Sequence, residues 1–559
     1  MIPRLFWLFI VFGLASAIGE DDLVQNLPGL QFPVNFKTYS GYLNANQNGT
    51  WKMHYTLTES RNNPASDPLL IWFNGGPGCS SFAGLFEELG PFYVNQDGAT
   101  LYENVYSWNA RANVLYLESP IGVGFSYDTS VTNFTTANDD QTADQNYMAI
   151  KDFITRVQPK YANRTFYLSG ESYAGIYIPM LSKRLVEGIN ANDFPNQNFQ
   201  GAAIGNGFMN VPYLQNSLIL WSIDWDLIKQ NCKGGATDMD EVDFSQYFAS
   251  TNKIDYGSDG SYCGNLTGPW LVLPDNMDQY NYYEDCYLGS SVNVVNTTLA
   301  TGTEQRPEIA GKNLKRVFGG PRRFGLDPNT AKTLNYDSTD NQWGYACWNE
   351  DALFRWANRR DVQKALNIDD DWQKRKDDNG KPYPWTDCNM AIYNSYVLTY
   401  SKTNQFFDYV LTNVKTQDFR FLIYNGDVDT GTPRDRWWFR NQVAGFYQRY
   451  QKDKMTIDVL TVKGAGHMVP NDRPGPSVQM ITNFMFPSPN NGAVDYSYDQ
   501  WIDPTKKPAE LPTTINGASP TTKPTTGIAG GTITTDKLRH RLTIVFLKMW
   551  RNIRKNKSS

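Results

Sequence analysis

The sequence predicts an α/β fold with a mostly parallel, buried central sheet. Short, continuous apolar runs alternate with longer segments whose apolar residues recur at helical spacing. Strands that are apolar on both faces are typical of parallel sheets covered by helices. This pattern occupies residues 18–210, fails over 211–345 and resumes over 346–490, so we expect one core assembled from two parts of the chain.

The predicted elements alternate along the chain. The strands are short apolar runs at residues 51–55, 67–73, 113–117, 165–168, 201–205, 419–424 and 457–462. A helix is expected after the polar pair Asp139-Asp140, because the apolar side chains that follow share one helical face. These side chains are Ala143, Tyr147, Ile150, Ile154 and Val157. A further helix is expected after residue 175.

A serine motif joins a predicted strand to a predicted helix. Residues 170–175 read Gly-Glu-Ser-Tyr-Ala-Gly, which we interpret as a nucleophile elbow of the Gly-x-Ser-x-Gly type. Ala174 occupies the place of the second glycine, and Gly175 follows it. Small flanking residues allow the tight strand-to-helix turn that exposes a nucleophilic Ser172. The neighbouring Glu171 has no evident use in a generic esterase, so we expect its presence to indicate the kind of substrate that the protein binds.

The N-terminus has the features of a secretory signal peptide, assigned to residues 1–17. Arg4 forms the charged start, residues 5–14 the apolar run and Ala15-Ser16-Ala17 the cleavage site. A signal anchor is disfavoured because the apolar run is short. Five glycosylation sequons begin at Asn48, Asn133, Asn163, Asn265 and Asn296. We expect a secreted or lysosomal glycoprotein.

Two segments differ in composition from the core. Residues 211–345 are rich in polar residues and glycine, hold three of the six cysteines and are predicted to form a cap. This segment contains a basic loop at residues 312–323. Whether that loop is cleaved during maturation is left open by the sequence. Residues 504–559 begin as a Pro/Thr-rich linker, predicted to be disordered, and end in a basic tail. The tail's apolar run, 542–547, is far shorter than the roughly 20 residues that span a bilayer, although a membrane-surface segment is an alternative.

The net charge of the chain restricts the classes of molecule that it can bind. The formal net charge is −6, and basic residues concentrate beyond residue 536, so the main body is more acidic still. That balance argues against nucleic-acid binding.

A serine nucleophile requires a base, and the chain contains three histidines. His540 lies in the polar tail, and His54 lies in a predicted strand where a structural role is favoured. His467 follows a late strand in a loop, Gly464 to Pro470, which suits a catalytic base. His467 is therefore the predicted base for Ser172.

The orienting acid is expected between Ser172 and His467 in chain order. Asp427 and Asp429 compete at the end of the 419–424 strand. We choose Asp429 and expect Asp427 to bond within its turn. Asp429-Thr430-Gly431 also matches an aspartic-protease triplet, but no second such triplet occurs.

Metal-dependent hydrolysis is not supported. The sequence has no His-Glu-x-x-His motif, and no histidine has a neighbouring ligand at metal-site spacing. We expect neither a metal nor another cofactor.

A glycine-rich turn follows the strand at residues 67–73. Residues 74–81 read Asn-Gly-Gly-Pro-Gly-Cys-Ser-Ser, and such a turn can donate an amide to an oxyanion hole together with the amide of Tyr173. A plain turn or a phosphate-binding loop is the alternative, although the Gly-Lys-Ser/Thr ending of the latter is missing.

Together these motifs resemble the serine carboxypeptidase family, S10, over roughly residues 22–488. The resemblance rests on residues 74–81, 118–127, 170–175, 425–429 and 466–470. It implies an α/β-hydrolase fold, a triad of Ser172, Asp429 and His467, and an oxyanion hole of the Gly76 and Tyr173 amides. It also implies a site for the substrate's C-terminal carboxylate, formed by Asn74, Gly75, Glu88 and Glu171.

The resemblance further implies three disulfides: Cys79–Cys388, Cys286–Cys347 and Cys232–Cys263. The residues themselves only favour three bridges from an even cysteine set. Some family members carry Cys-Asn shortly after the triad aspartate, where this chain has Thr430-Gly431-Thr432-Pro433, so the side-chain preference stays open.

The expected function is a serine carboxypeptidase acting on peptides with a free C-terminus, most active at acidic pH. An esterase or acyltransferase on the same fold is the first alternative. A scaffold for other lysosomal hydrolases is the second, and a homodimer is compatible with either.

Overall fold

The computed structural model describes most of the region predicted to form the core. It covers residues 18–95, 97–131, 136–210, 348–376, 380–426, 435–439, 442–452, 455–488 and 493–498, with residues 214, 232, 247, 259–267 and 281. The predicted signal peptide, the C-terminal linker and tail, and nearly all of the predicted cap lie outside the described residues.

Strands alternate with helices as predicted. The strands are β1 Thr38–Asn44, β2 Trp51–Thr58, β3 Leu69–Phe73, β4 Phe92–Val94, β5 Leu101–Glu103, β6 Asn113–Leu117, β7 Tyr127–Asp128, β8 Phe166–Glu171, β9 Phe199–Gly205, β10 Arg420–Gly426, β11 Asp435–Phe439, β12 Gln442–Lys452 and β13 Met455–Val462. The helices are α1 Ser81–Ala83, α2 Asp139–Asp152, α3 Ala174–Asn190, α4 Tyr262–Thr267, α5 Trp348–Ala357, α6 Arg360–Ala365, α7 Asp370–Gln373, α8 Met390–Ser395, α9 Asn404–Asn413, α10 Val469–Asp472 and α11 Pro474–Met485.

The centre of the main sheet is parallel. The strand order is β1-β2-β6-β3-β8-β9-β10-β13-β12-β11, with β7 paired to β2. The six strands from β6 to β13 run parallel, and antiparallel strands extend the sheet on both sides. This order confirms the predicted mostly parallel sheet.

Apolar side chains cover both faces of the sheet. On β3, Leu69, Ile71 and Phe73 pack with one buried cluster, whereas Leu70 and Trp72 pack with another. The first cluster contains side chains of α2, α3 and α9, and the second contains those of α11. Burial on both faces explains why the central strands are continuous apolar runs rather than alternating ones.

Two details differ from the predicted elements. β3 begins at Leu69 rather than at Asp67, whose buried carboxylate instead accepts the Ser60 hydroxyl at 2.6 Å. The α2 helix ends at Asp152 and continues as a π-helical stretch, Phe153–Val157, that keeps Ile154 and Val157 buried.

Disulfides join distant segments. The structure pairs Cys79 with Cys388 and Cys232 with Cys263, as the resemblance implied. The third implied pair, Cys286–Cys347, lies outside the described residues. In the parts of the chain that are described, no helix is both long and apolar enough to cross a bilayer.

Candidate active site

The carboxyl ends of the central parallel strands meet at one edge of the sheet. Ser172 follows β8 directly, and His467 lies in the loop after β13. β10 lies between β9 and β13 and ends at Gly426. Gly426 lies so close to the histidine loop that a Cβ added to it would be 2.0 Å from the Ala465 carbonyl oxygen. The described end of β10 therefore lies beside the histidine loop, and Asp427 and Asp429, which follow it in the sequence, lie outside the described residues.

The elbow holds Ser172 in a left-handed backbone conformation, with φ at 58°. Its amide donates to the Gly205 carbonyl at 3.1 Å, and its carbonyl accepts from the Gly175 amide at 2.9 Å. Gly170 and Gly175 flank the elbow at positions where the neighbouring backbone leaves no room for a side chain. A Cβ on Gly170 would lie 2.3 Å from the Phe73 carbonyl oxygen, and one on Gly175 would lie 2.6 Å from a backbone nitrogen. The strained, partly exposed serine fits the predicted nucleophile.

The glycine-rich segment 74–81, named here the oxyanion turn after its predicted role, lies directly against this elbow. A Cβ on Gly75 would lie 2.5 Å from the Tyr173 amide nitrogen and 2.7 Å from Ser172 Cβ. Gly76 follows with φ at 105°, a conformation that favours glycine. The structure thus brings the turn that contains Gly76 to the amide of Tyr173.

The residues predicted to bind a carboxylate lie together. Asn74 Nδ2 donates to Glu88 Oε1 at 2.8 Å, while Asn74 Oδ1 accepts from the Trp72 indole at 2.7 Å and from the Gly84 amide at 3.2 Å. The Glu88 carboxyl in turn shares a hydrogen bond with that of Glu171. Asn74, Glu88 and Glu171 are all buried, so this polar group is held inside the protein beside Ser172.

Burial sets the protonation of the two glutamates. Desolvation raises the pKa of Glu171 well above its usual value, and repulsion from Glu88, the hydrogen bond to Glu88 and the charge of Asp472 raise it further. Desolvation also raises the pKa of Glu88, but hydrogen bonds with Asn74 and Glu171 oppose that effect. Glu171 is therefore the member that keeps its proton longer and donates it to Glu88.

His467 is suited to accept a proton. The side chain is half-buried, and desolvation lowers its pKa to about 4, so the imidazole is neutral above that pH. Its loop is anchored by the Gly466 amide, which donates to Asp472 Oδ2 at 2.7 Å.

Sequence reasoning missed several acids that support the site. Asp472 accepts from the histidine loop, and Asp139 accepts the Tyr173 hydroxyl at 2.8 Å and the Thr399 amide at 2.7 Å. Asp387, next to Cys388, accepts the Ser80 amide through its carbonyl at 2.7 Å. The sequence marks Asp139 only as a helix start and marks none of these acids for the site, because tertiary packing rather than a local motif supplies their roles there.

One grouping among the described residues has ligand atoms at metal-like spacing: Cys79, Asp387 and Cys388. Both of its sulfur atoms are joined in the disulfide, so neither is available as a thiolate ligand.

Comparisons with known proteins point to one family. A family model described as serine carboxypeptidase matches residues 28–434 and 432–486. Serine carboxypeptidase ctsa-3.1 of Caenorhabditis elegans is 53% identical over 542 residues, covering 88% of this chain and 93% of the relative. The lysosomal protective protein of Mus musculus is 32% identical over 501 residues, covering 85% and 95%.

A solved structure shares the fold. The Kex1(delta)p prohormone-processing carboxypeptidase of Saccharomyces cerevisiae has a TM-score of 0.55 at 18% identity, covering 85% of this chain and 98% of that chain. At that identity the likeness supports the α/β-hydrolase fold alone.

Proposed function

Because the chain belongs to the serine carboxypeptidase family, we propose that it releases C-terminal amino acids from peptides through an acyl-enzyme, with highest activity at acidic pH. One observation carries this proposal: a buried, hydrogen-bonded glutamate pair lies immediately beside the elbow serine. A neutral carboxyl in such a pair can donate a hydrogen bond to a substrate carboxylate, a contact that simple ester hydrolysis does not require.

In this mechanism Ser172 attacks the scissile carbonyl carbon, and His467 removes the hydroxyl proton. The amides of Gly76 and Tyr173 stabilise the negative oxygen that develops. His467 then protonates the leaving amino acid, and water hydrolyses the acyl-enzyme by the reverse proton path. Asp429 is proposed to orient the imidazole. The neutral imidazole above about pH 4 supports catalysis under acidic conditions.

The carboxylate site explains the proposed pH dependence. While Glu171 is neutral, its proton can turn from Glu88 to the incoming carboxylate, alongside the amide groups of Asn74 and Gly75. Once the pair loses its proton, two buried negative charges repel a third. We therefore expect KM for peptides to rise as pH increases toward neutrality.

The test compares wild type with Ser172→Ala. Each receives a blocked dipeptide with a free C-terminus and the matching C-terminal amide, at pH 5 and pH 7.5. We expect Ser172-dependent cleavage of the free acid, favoured at pH 5, and little cleavage of the amide there. Equal cleavage of acid and amide, or a KM that is flat across this range, contradicts the carboxylate site. No Ser172-dependent cleavage favours the scaffold alternative.

We also propose passage through the secretory pathway, to the lysosome or the cell exterior. The two disulfides support an oxidising compartment. Asn48, Asn163 and Asn265 are exposed and accessible to glycosylation, whereas Asn133 and Asn296 lie outside the described residues. Enzymatic deglycosylation of the purified protein should lower its mass by one glycan at each occupied site.

A further inference from the structure

A buried histidine–glutamate pair lies behind the oxyanion turn and takes no part in the mechanism above. His54 on β2 and Glu118, which follows β6, approach with His54 Nδ1 2.7 Å from Glu118 Oε2. Their side chains are 0% and 2% exposed. Burying two such polar groups is costly unless their hydrogen bonds are satisfied, so the surroundings of this pair indicate its purpose.

The pair is part of an arrangement that imitates a catalytic triad. Ser40 Oγ lies 2.9 Å from His54 Nε2, on the side of the ring opposite Glu118. However, the Ser40 hydroxyl donates its single hydrogen to the Leu366 carbonyl at 2.8 Å. His54 Nε2 must therefore donate to Ser40, so it has no lone pair with which to activate that serine. With Ser40 fully buried, this group is not a second hydrolytic centre.

Glu118 accepts hydrogen bonds on both carboxylate oxygens. Oε2 faces His54 and also accepts the Phe125 amide at 2.9 Å. Oε1 accepts the Ser80 hydroxyl in a short hydrogen bond and the Trp385 indole at 3.0 Å. The loop around it is shaped to fit, because a Cβ on Gly124, which has φ at 54°, would lie 1.8 Å from Oε1. This fit accounts for a glycine in the 118–127 motif.

The contacts lead from Glu118 into the oxyanion turn. Ser80, which Glu118 holds, also accepts the Phe82 amide at 3.0 Å and so caps α1. The hydroxyl oxygen of the next residue, Ser81, accepts a hydrogen bond from the backbone amide of Asn74 at 3.0 Å. This bond closes the turn onto its first residue. A shift of Ser80 would therefore move the segment that lies against Ser172.

We propose that Glu118 is a positioning residue that holds the oxyanion turn against Ser172, with His54 as its buried counter-group. The inference rests on the proposed serine mechanism, in which this turn supplies one oxyanion amide. Loss of one oxyanion donor commonly costs roughly 10²–10³ in kcat. A displaced donor should cost less, on the order of tenfold.

The test variant is Glu118→Gln, in which an amide NH₂ replaces one carboxylate oxygen. Each of the two oxygens faces two hydrogen-bonding groups, so the NH₂ group loses hydrogen bonds that the oxygen accepted. Active sites are first counted by organophosphate titration of Ser172, so that unfolded protein does not enter the rates. We expect kcat per titrated site and the organophosphate labelling rate to fall about tenfold, with KM for a free-acid peptide changed by less than about threefold.

A matched control is Asp458→Asn. Asp458 is buried, is paired with Arg449 at 2.7 Å and bonds the Tyr496 hydroxyl at 2.7 Å, four residues before the end of β13. It should lower the melting temperature without changing rates per titrated site. Wild-type rates per site in Glu118→Gln would overturn the proposal.

Ser80→Ala provides a second route if Glu118→Gln does not fold. It removes the link to the turn but leaves the Glu118–His54 pair intact, and we expect the same loss of labelling rate. An unchanged labelling rate in this variant also overturns the proposal. Wild-type protein that is labelled but cleaves no peptide would contradict the proposed function, while the labelling rates still decide the role of Glu118.

Discussion

Replacing Asp387 with asparagine should stabilise the protein, and increasingly so as pH rises. Asp387 is half-buried beside the Cys79–Cys388 disulfide, and its Oδ1 atom is buried without a hydrogen-bond partner among the described residues. Desolvation, with repulsion from Glu350, Glu88 and Glu118, raises its pKa to about 8 from a reference value of 3.8. Below pH 8 the folded protein therefore keeps this carboxyl neutral.

The magnitude follows from proton linkage. Above pH 3.8 the unfolded chain releases this proton, while the folded state retains it until about pH 8. Stability is therefore lost as pH rises through that window, at about 1.4 kcal/mol per pH unit. An asparagine side chain at this position is neutral in both states and escapes this loss. Asp387→Asn should match wild type near pH 4 and exceed its free energy of unfolding by up to about 5 kcal/mol at about pH 7.5.

The assay is urea unfolding at pH 4.5, 6 and 7.5, followed by tryptophan fluorescence with disulfides intact. Asp361→Asn is the control, because a hydrogen bond from Arg359 lowers the pKa of this exposed carboxylate. Its stability change should be small and should not favour the variant at high pH. The reasoning is refuted if the difference between Asp387→Asn and wild type is independent of pH.

Three further variants test the active site. Glu171→Gln keeps a hydrogen-bond donor at every pH, so KM for a free-acid peptide should rise less between pH 5 and pH 7.5 than in wild type; an equally steep rise contradicts the role of Glu171. Asp472→Asn removes a charge that raises the pKa of Glu171, so the rise in KM should begin at lower pH, and an unshifted profile would count against this coupling. Gly175→Ala puts a methyl group 2.6 Å from the Phe208 backbone nitrogen and should cost at least about 2 kcal/mol of stability in thermal or urea unfolding; wild-type stability would show that the elbow can relax.

Local patterns were sufficient to predict the sheet and to nominate a nucleophile whose role stays a prediction. The central strands are buried on both faces, so the sequence of β8, β9, β10 and β13 is largely apolar and easy to recognise. The elbow needs small residues at fixed positions, and the scarcity of histidines isolates His467. The change to a π-helical stretch at Phe153 was missed because both helix types bury the same apolar face there.

The supporting acids could not be predicted in the same way. Glu118, Asp387 and Asp472 gain their importance from partners that tertiary packing brings close, such as Trp385, 267 residues from Glu118. A pKa shift likewise depends on burial, which a single charged letter in a loop does not reveal. Recognition of the family implied Glu88 and Glu171, but their unequal protonation depends on the observed contacts.

The Cys79–Cys388 bridge joins two residues that are 309 positions apart. The predicted cap and its basic loop belong to the chain enclosed by that bridge. A protease that cuts the peptide backbone anywhere in this enclosed stretch would therefore convert one polypeptide into two without releasing either half. The nicked molecule would migrate as a single species on a non-reducing gel and as two bands after reduction, with Ser172 on the N-terminal chain and His467 on the C-terminal chain for any cut between residues 211 and 345.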